Sequence, residues 1–175
     1  MRASFLLCLA GLLLFSGCAN YHLGTSGQVS FHTLYVAPVV NESNAPQVVA
    51  IVSTQLREAF LHDSRVVLVN TPEEADATLT VRLVKYGRDA QTSQSGDTGL
   101  TRKFDVTLDA EATLRDNRNH KPIFENRKLQ ATRQIFTDNQ NGPGTGQQLQ
   151  AEYQNIPLLA ERLAKSIRGA ALDVW

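Results

Sequence analysis

The stretch 103-KFDVTLDAEATLR-115 alternates without a break. Phe104, Val106, Leu108, Ala110, Ala112 and Leu114 share one face. Lys103, Asp105, Thr107, Asp109, Glu111, Thr113 and Arg115 share the other. Successive side chains of a strand point to opposite sides. The pattern therefore predicts one long strand with a dry face and a wet face, as in an antiparallel sheet covered on one side only.

The flanks extend this sheet. Upstream, Ala77, Leu79, Val81 and Leu83 alternate with Thr78, Thr80 and Arg82, a second strand joined to the first by the polar, Gly-bearing link 91–99. Downstream, 116–122 (DNRNHKP) reads as a turn, and 123–136 returns as a more polar strand suited to a sheet edge. After the Gly/Pro/Asn loop 137–146, helical spacing takes over. Leu149, Tyr153, Ile156, Leu159/Ala160, Leu163, Ile167, Ala170/Ala171 and Val174 mark a long C-terminal helix. Pro157 removes a backbone donor inside it and predicts a kink or a division into two helices.

Upstream of the sheet, 33-TLYVAPVV-40 is β-branched and aromatic and ends at the turn residues 41–44, which predicts a strand. Pro46 suits the first position of a helix capped by Asn44 or Ala45. Val48, Val52, Gln55/Leu56, Ala59 and Phe60 recur at helical spacing through 46–62. RVVLV at 65–69 reads as a short buried strand. Strand, helix and strand with short links form a βαβ unit, so these two strands should be parallel with a right-handed crossover. Together the elements predict an α+β two-layer sandwich. A mixed four- to five-stranded sheet carries two helices on one face, in the order β-α-β-β-β-β-α. We find no internal repeat and no domain boundary, so 31–175 reads as a single domain.

The start of the chain is different in kind. Arg2, an apolar stretch from Ala3 to Phe15, and then Ser16-Gly17-Cys18 follow the layout of a secretory signal peptide. The apolar run is shorter than the roughly 20 residues a spanning helix needs. Phe15-Ser16-Gly17-Cys18 resembles the lipobox of bacterial lipoproteins. On that resemblance residues 1–17 are cleaved, Cys18 carries a diacylglycerol and an N-acyl chain, and 18–30 form the anchor and tether. Two or three acyl chains at about 0.8 kcal/mol per buried CH₂ hold firmly where one would not. Residue 19 is Ala rather than Asp, so the inner-membrane retention signal of many such lipoproteins is absent and the outer membrane is the expected address.

Composition narrows function by exclusion. The chain of 175 residues balances 17 basic against 17 acidic side chains, and no basic run points to nucleic acid. Cys8 leaves with the signal and Cys18 takes lipid, so the domain should hold neither a disulfide nor a cysteine metal ligand. His22, His32, His62 and His120 show no metal-ligand spacing, and we expect no metal and no dissociable cofactor. Gly142–Gly146 lacks the Gly-Lys-Ser/Thr of a phosphate loop. Asp105, Asp109 and Glu111 alternate with Thr and cations in the manner of a solvated, charge-paired strand face. No nucleophile and base occur together, so catalysis is not expected. What remains suits binding. Arg102 and Lys103, with Arg133 on the next strand, could pair phosphates while Phe104 or Phe136 meets acyl chains. The loops 91–99 and 137–146 could dock into a partner.

The order of these parts resembles the LptE family of lipopolysaccharide-assembly lipoproteins. It is carried by the lipobox Cys18, Tyr21-His22-Leu23-Gly24, a strand ending Val-x-Pro-x-x-Asn, VSTQLREAF (52–60), EEADATLTV (73–81), FDVTLDAEATLRD (104–116) and PLLAERLA (157–164). The resemblance implies a non-enzymatic plug inside the large outer-membrane β-barrel LptD, and non-covalent lipopolysaccharide binding through basic residues, here Arg102, Lys103 and Arg133. The rival reading is a lipoprotein of a different envelope export machine on a similar scaffold.

Overall fold

A computed structural model describes residues 29–91, 101–138 and 145–173. Six strands and two helices run in the order β1 (Thr33–Val36), β2 (Val40–Asn41), α1 (Val49–Leu61), β3 (Val67–Val69), β4 (Ala77–Gln91), β5 (Thr101–Asp116), β6 (Pro122–Asp138) and α2 (Thr145–Leu172). The sheet order is β3-β1-β4-β5-β6, with β2 also paired to β4. β1 is parallel to both β3 and β4, while β4, β5 and β6 form an antiparallel meander. This is the expected α+β architecture, with the βαβ unit in place.

Four details depart from the sequence reading. The strand expected over 33–40 is two pieces, because Pro38 has no N–H to give the ladder. Ala37 and Glu42 still donate to the Leu79 and Leu83 carbonyls, so β1 and β2 lie end to end along β4. The helix expected from 46 opens with a 3-10 turn, Pro46–Val48, after Ala45. The strand expected to be buried at 65–69 is an edge, and Val67 is 63% exposed. The helix containing Pro157 is neither divided nor interrupted. Tyr153, whose carbonyl loses the Pro157 donor, and Pro157 itself are both exposed, so water can satisfy that carbonyl at little cost.

One core lies between the sheet and the helices. Val52, Leu56 and Phe60 of α1 and Leu159, Leu163 and Ile167 of α2 meet Leu34, Leu79, Leu83, Leu108 and Leu114 of the sheet. All of these are essentially inaccessible to solvent. Among the described residues nothing covers the other face of the sheet, which carries Thr78, Thr80, Thr107 and Thr113. Across it Arg82 joins the residue after β2 to β5, pairing with Glu42 at 3.1 Å and with Glu111.

The incoming chain is clamped at the foot of the sheet. Asp76 Oδ2 accepts the N–H groups of His32 (2.8 Å) and Thr33 (3.0 Å), and Thr33 Oγ1 accepts the Asp76 N–H. Arg118 donates to the Ser30 carbonyl at 2.7 Å. Ser30, His32 and Thr33 therefore sit at the end of the sheet where β4 begins and β5 ends.

Candidate functional site

Beyond Leu83, β4 loses its β2 neighbour and continues with β5 and β6 as a three-stranded arm backed by the first turns of α2. Eight further residues of strand make this arm about 27 Å long. A bulge marks its root. Leu83 pairs with Ala110 and Lys85 with Asp109, leaving Val84 unmatched. The extra residue reverses the alternation. Odd residues Ala77–Leu83 face the helices, whereas past the bulge Tyr86 and Arg88 do, opposite Leu108 and Val106.

These two side chains meet Glu152 of α2. The Tyr86 hydroxyl donates to Glu152 Oε1, and Arg88 Nε lies 2.8 Å from Oε2. The Arg88 N–H is not aimed along that line, so the second contact is an ion pair rather than a hydrogen bond. Glu152 is 3% exposed. Burial, reinforced by the neighbouring carboxylate, pushes the Tyr86 hydroxyl well above its ordinary range. Burial works against the Arg88 charge, but Glu152 outweighs it and raises the guanidinium's hold on its proton. The arrangement is a polar bolt between strand and helix. Sequence carried a signal for it: Glu152 falls on the apolar stripe of α2, one turn before Ile156.

The candidate binding cations do not gather on one face. Lys103 is exposed on the uncovered face and directly opposite Phe136, which is 60% exposed. Arg133 pairs with Val106 on the helix side and donates to Asn155 Oδ1 at 2.6 Å. Arg102 pairs with Thr137 in the ladder, but its side chain lies outside the described ones. Of the two aromatic candidates, Phe104 is buried in the core and Phe136 is free to meet a ligand. Tyr153 and Leu149 on α2, 59% and 45% exposed, add apolar surface at the same end of the molecule.

The strand carboxylates have structural partners. Gln130 donates to Asp109 at 2.7 Å, Gln134 to Asp105 at 3.2 Å, and Arg82 to Glu111. A shallow groove of about 390 Å³ beside the Val84 bulge is lined by Asp109, Glu111, Lys128 and Gln130. His32, His62 and His120 are exposed. Among the described residues no three His, Cys, Asp or Glu side chains are placed to hold a metal. No described helix is long and apolar enough to cross a membrane. Cys18, His22, the loop 92–100 and residues 139–144 lie outside the described residues.

Comparison with known proteins agrees with this architecture. The family model for lipopolysaccharide assembly, LptE, matches residues 31–168. No curated protein matches the chain. A solved protein from Xanthomonas campestris is 14% identical, with a TM-score of 0.52, over 84% of this chain and 86% of that one. A hypothetical protein from Chlamydia trachomatis is 11% identical, with a TM-score of 0.51, over 82% of this chain and 96% of that one. The rare lipoprotein B from Shewanella oneidensis is 13% identical, with a TM-score of 0.47, over 77% and 96%. At these identities the likeness concerns the fold.

Proposed function

The chain belongs to the LptE family of lipopolysaccharide-assembly proteins, and from that premise we propose that it is a lipid-anchored, non-enzymatic plug of an LptD-like outer-membrane β-barrel. In this reading it stabilises the barrel, helps lipopolysaccharide reach the outer leaflet, and binds lipopolysaccharide non-covalently. Cys18 carries the lipid and fixes the domain to the periplasmic face of the outer membrane.

The observation that carries the reading is the arm. It is narrow, long and rigid, and one face is a lattice of Thr, Gln and paired charges. The lumen of a large outer-membrane barrel is polar, so such a face can enter it without stranding apolar surface. Lys103 beside Phe136 offers a cation for a phosphate and a ring for an acyl chain on adjacent strands. Arg133, tied to Asn155, serves the arm's shape instead.

The test is photocrosslinking in intact cells from Gln130 on the uncovered face, together with Ser95 and Gly142 in the two loops. Capture of a protein with the mass of a large β-barrel supports the plug. If the detergent-extracted chain is free of any barrel and its depletion leaves surface lipopolysaccharide unchanged, the reading fails. A captured soluble or inner-membrane component would instead assign it to a different envelope machine.

A further inference from the structure

Among the described residues the sheet has free edges at β2 and β3, at β6 and at β4 beyond the bulge, and the first two are blunted. β2 and β3 are only two and three residues long. β6 is overlaid by α2, whose Arg162 donates to the outward Thr132 carbonyl at 3.2 Å. The third is β4 beyond the bulge. Among the described residues, nothing pairs with 84–91 on the side away from β5.

The backbone groups left open there can be identified. The Leu79 and Leu83 carbonyls point towards β1 and β2, since Ala37 and Glu42 donate to them. The odd residues of lower β4 therefore face that side. The bulge at Val84 shifts the pairing by one, so in the arm the even residues Tyr86, Arg88 and Ala90 present their N–H and C=O groups outward. The Glu152 bolt holds the Tyr86 and Arg88 side chains on the helix face, so this edge is rigid before anything docks on it.

Gly87 lies at the middle of the open edge. A glycine inside a strand weakens it, and nothing among the described residues calls for one. Its φ is not in the left-handed region, and a Cβ would meet only Lys85 Cε at an ordinary 3.7 Å. A glycine with no internal reason at an open edge fits the close approach of another backbone. Lys85 and Asp89 flank it symmetrically on the uncovered face. Asp89 directly opposes Asp105 across the β4–β5 ladder.

We propose that the free chain pairs with a second copy of itself through this edge, β4 antiparallel to β4, with the two-fold axis between the two Gly87 residues. In that register Lys85 stands opposite Asp89 of the second copy, twice by symmetry. Each Lys85 then lies between Asp109 of its own sheet and Asp89 of the other. Tyr86 and Arg88 of one copy exchange backbone hydrogen bonds with Arg88 and Tyr86 of the other. The glycines form a non-hydrogen-bonded pair, where Cα atoms come within about 4.5 Å and side chains crowd most. The alternating donors and acceptors match a polypeptide backbone and not a lipid surface, and the K-x-G-x-D order makes this chain its own complement. The inference does not depend on which partner the arm meets in the envelope.

The test is disulfide trapping of the full chain in cells, with copper phenanthroline as oxidant. Gly87→Cys should give a band of twice the mass, because a non-hydrogen-bonded pair lies within disulfide reach. Thr107→Cys, one strand further from the axis, and the wild-type chain should not. Lys85→Asp and Asp89→Lys should each lower the trapped dimer about tenfold, since symmetry doubles the lost pairing. The double swap should restore it. A Gly87→Cys chain that stays monomeric, or single swaps without effect, overturns the proposal. So does capture of a barrel-sized protein, which assigns the edge to a foreign strand.

Discussion

Tyr86 of β4 donates its hydroxyl proton to Glu152 of α2 across 66 positions of sequence, inside the root of the arm. With Arg88 on the other carboxylate oxygen and Arg133 on Asn155, this contact ties the early turns of α2 to the arm. Glu152→Ala leaves a buried hydroxyl without its acceptor and removes the ion pair. Arg88 is about half exposed, at 47%, and water can hydrate it, so most of the cost falls on Tyr86 and on helix docking. We expect a loss of about 2 kcal/mol in urea unfolding. Hydrogen exchange should rise in 149–156 well before it rises in 159–171.

The same hydroxyl sets an alkaline limit on stability. Its pKa in the folded chain is raised by burial and by Glu152, whereas an unfolded tyrosine ionises near 10. The folded state therefore holds one more proton than the unfolded state above that pH. This contribution is complete below about pH 10 and is lost as pH rises beyond it, at about 1.4 kcal/mol per pH unit for one proton. Urea midpoints measured from pH 8 to 11 should fall at the upper end for the wild type. Tyr86→Phe, though less stable at pH 8, should show a shallower fall. An identical slope in both chains would mean that Tyr86 ionises freely.

Removing Val84 tests the bulge. Without it Lys85 would follow Leu83 directly, and a regular ladder would keep the Leu83–Ala110, Lys85–Asp109 and Tyr86–Leu108 pairs with Tyr86 and Arg88 still towards α2. The deletion should therefore keep the fold and the Glu152 contacts, at a cost of no more than about 1 kcal/mol in urea unfolding. A much larger loss would mean that the bend and twist the bulge gives the arm are themselves needed. Val84→Thr, at an exposed site, should stay within about 0.5 kcal/mol.

That bulge also shows where the sequence stops being readable. The strand 103–115 declared itself because one face is buried along its whole length, and alternation follows directly from that. In 77–91 the alternation is equally strict on either side of Val84, but the phase reverses, so a single period fails to fit both halves. Strand β3 misled for a related reason. An apolar run states that burial is wanted without stating how much, and Val67 spends its apolar character on an exposed edge. The division of Lys103 from Arg133 was also hidden. It follows from register, which a pair of irregularities in β6 near Phe124 and Arg127 helps to set. The exposure of Phe136, by contrast, agrees with its falling outside the apolar parity of its strand.

The clamp on the incoming chain predicts an acid limit. Hydrogen bonds from the His32 and Thr33 N–H groups hold the Asp76 carboxyl below its usual range. Its contribution is present above the unfolded value near 3.9 and disappears as pH falls through the lower folded value. Asp76→Asn keeps the size but loses the charge on the acceptor, and should cost about 1 kcal/mol at pH 7. The difference from wild type should narrow as pH falls below about 3.9. Amide exchange at Thr33 should report it before global unfolding does.

The sharpest division among the binding candidates lies between Lys103 and Arg133. Both are cations on neighbouring strands, and both suit a phosphate on charge alone. Arg133 already spends its guanidinium on Asn155, which in turn donates to the Ala151 carbonyl of α2. Lys103 stands on the uncovered face with Phe136 opposite. Charge reversal at Lys103 should therefore reduce lipopolysaccharide retained by the purified chain about tenfold. That corresponds to the roughly 1.4 kcal/mol of one lost charge-assisted contact, with the unfolding midpoint unchanged. Phe136→Ser should weaken retention by a similar factor through lost apolar contact. Arg133→Gln should do the opposite, lowering the unfolding midpoint while leaving retention per folded molecule intact. If Arg133→Gln abolishes retention at full stability, the ligand lies on the helix side of the arm, and Phe136 has no part in holding it.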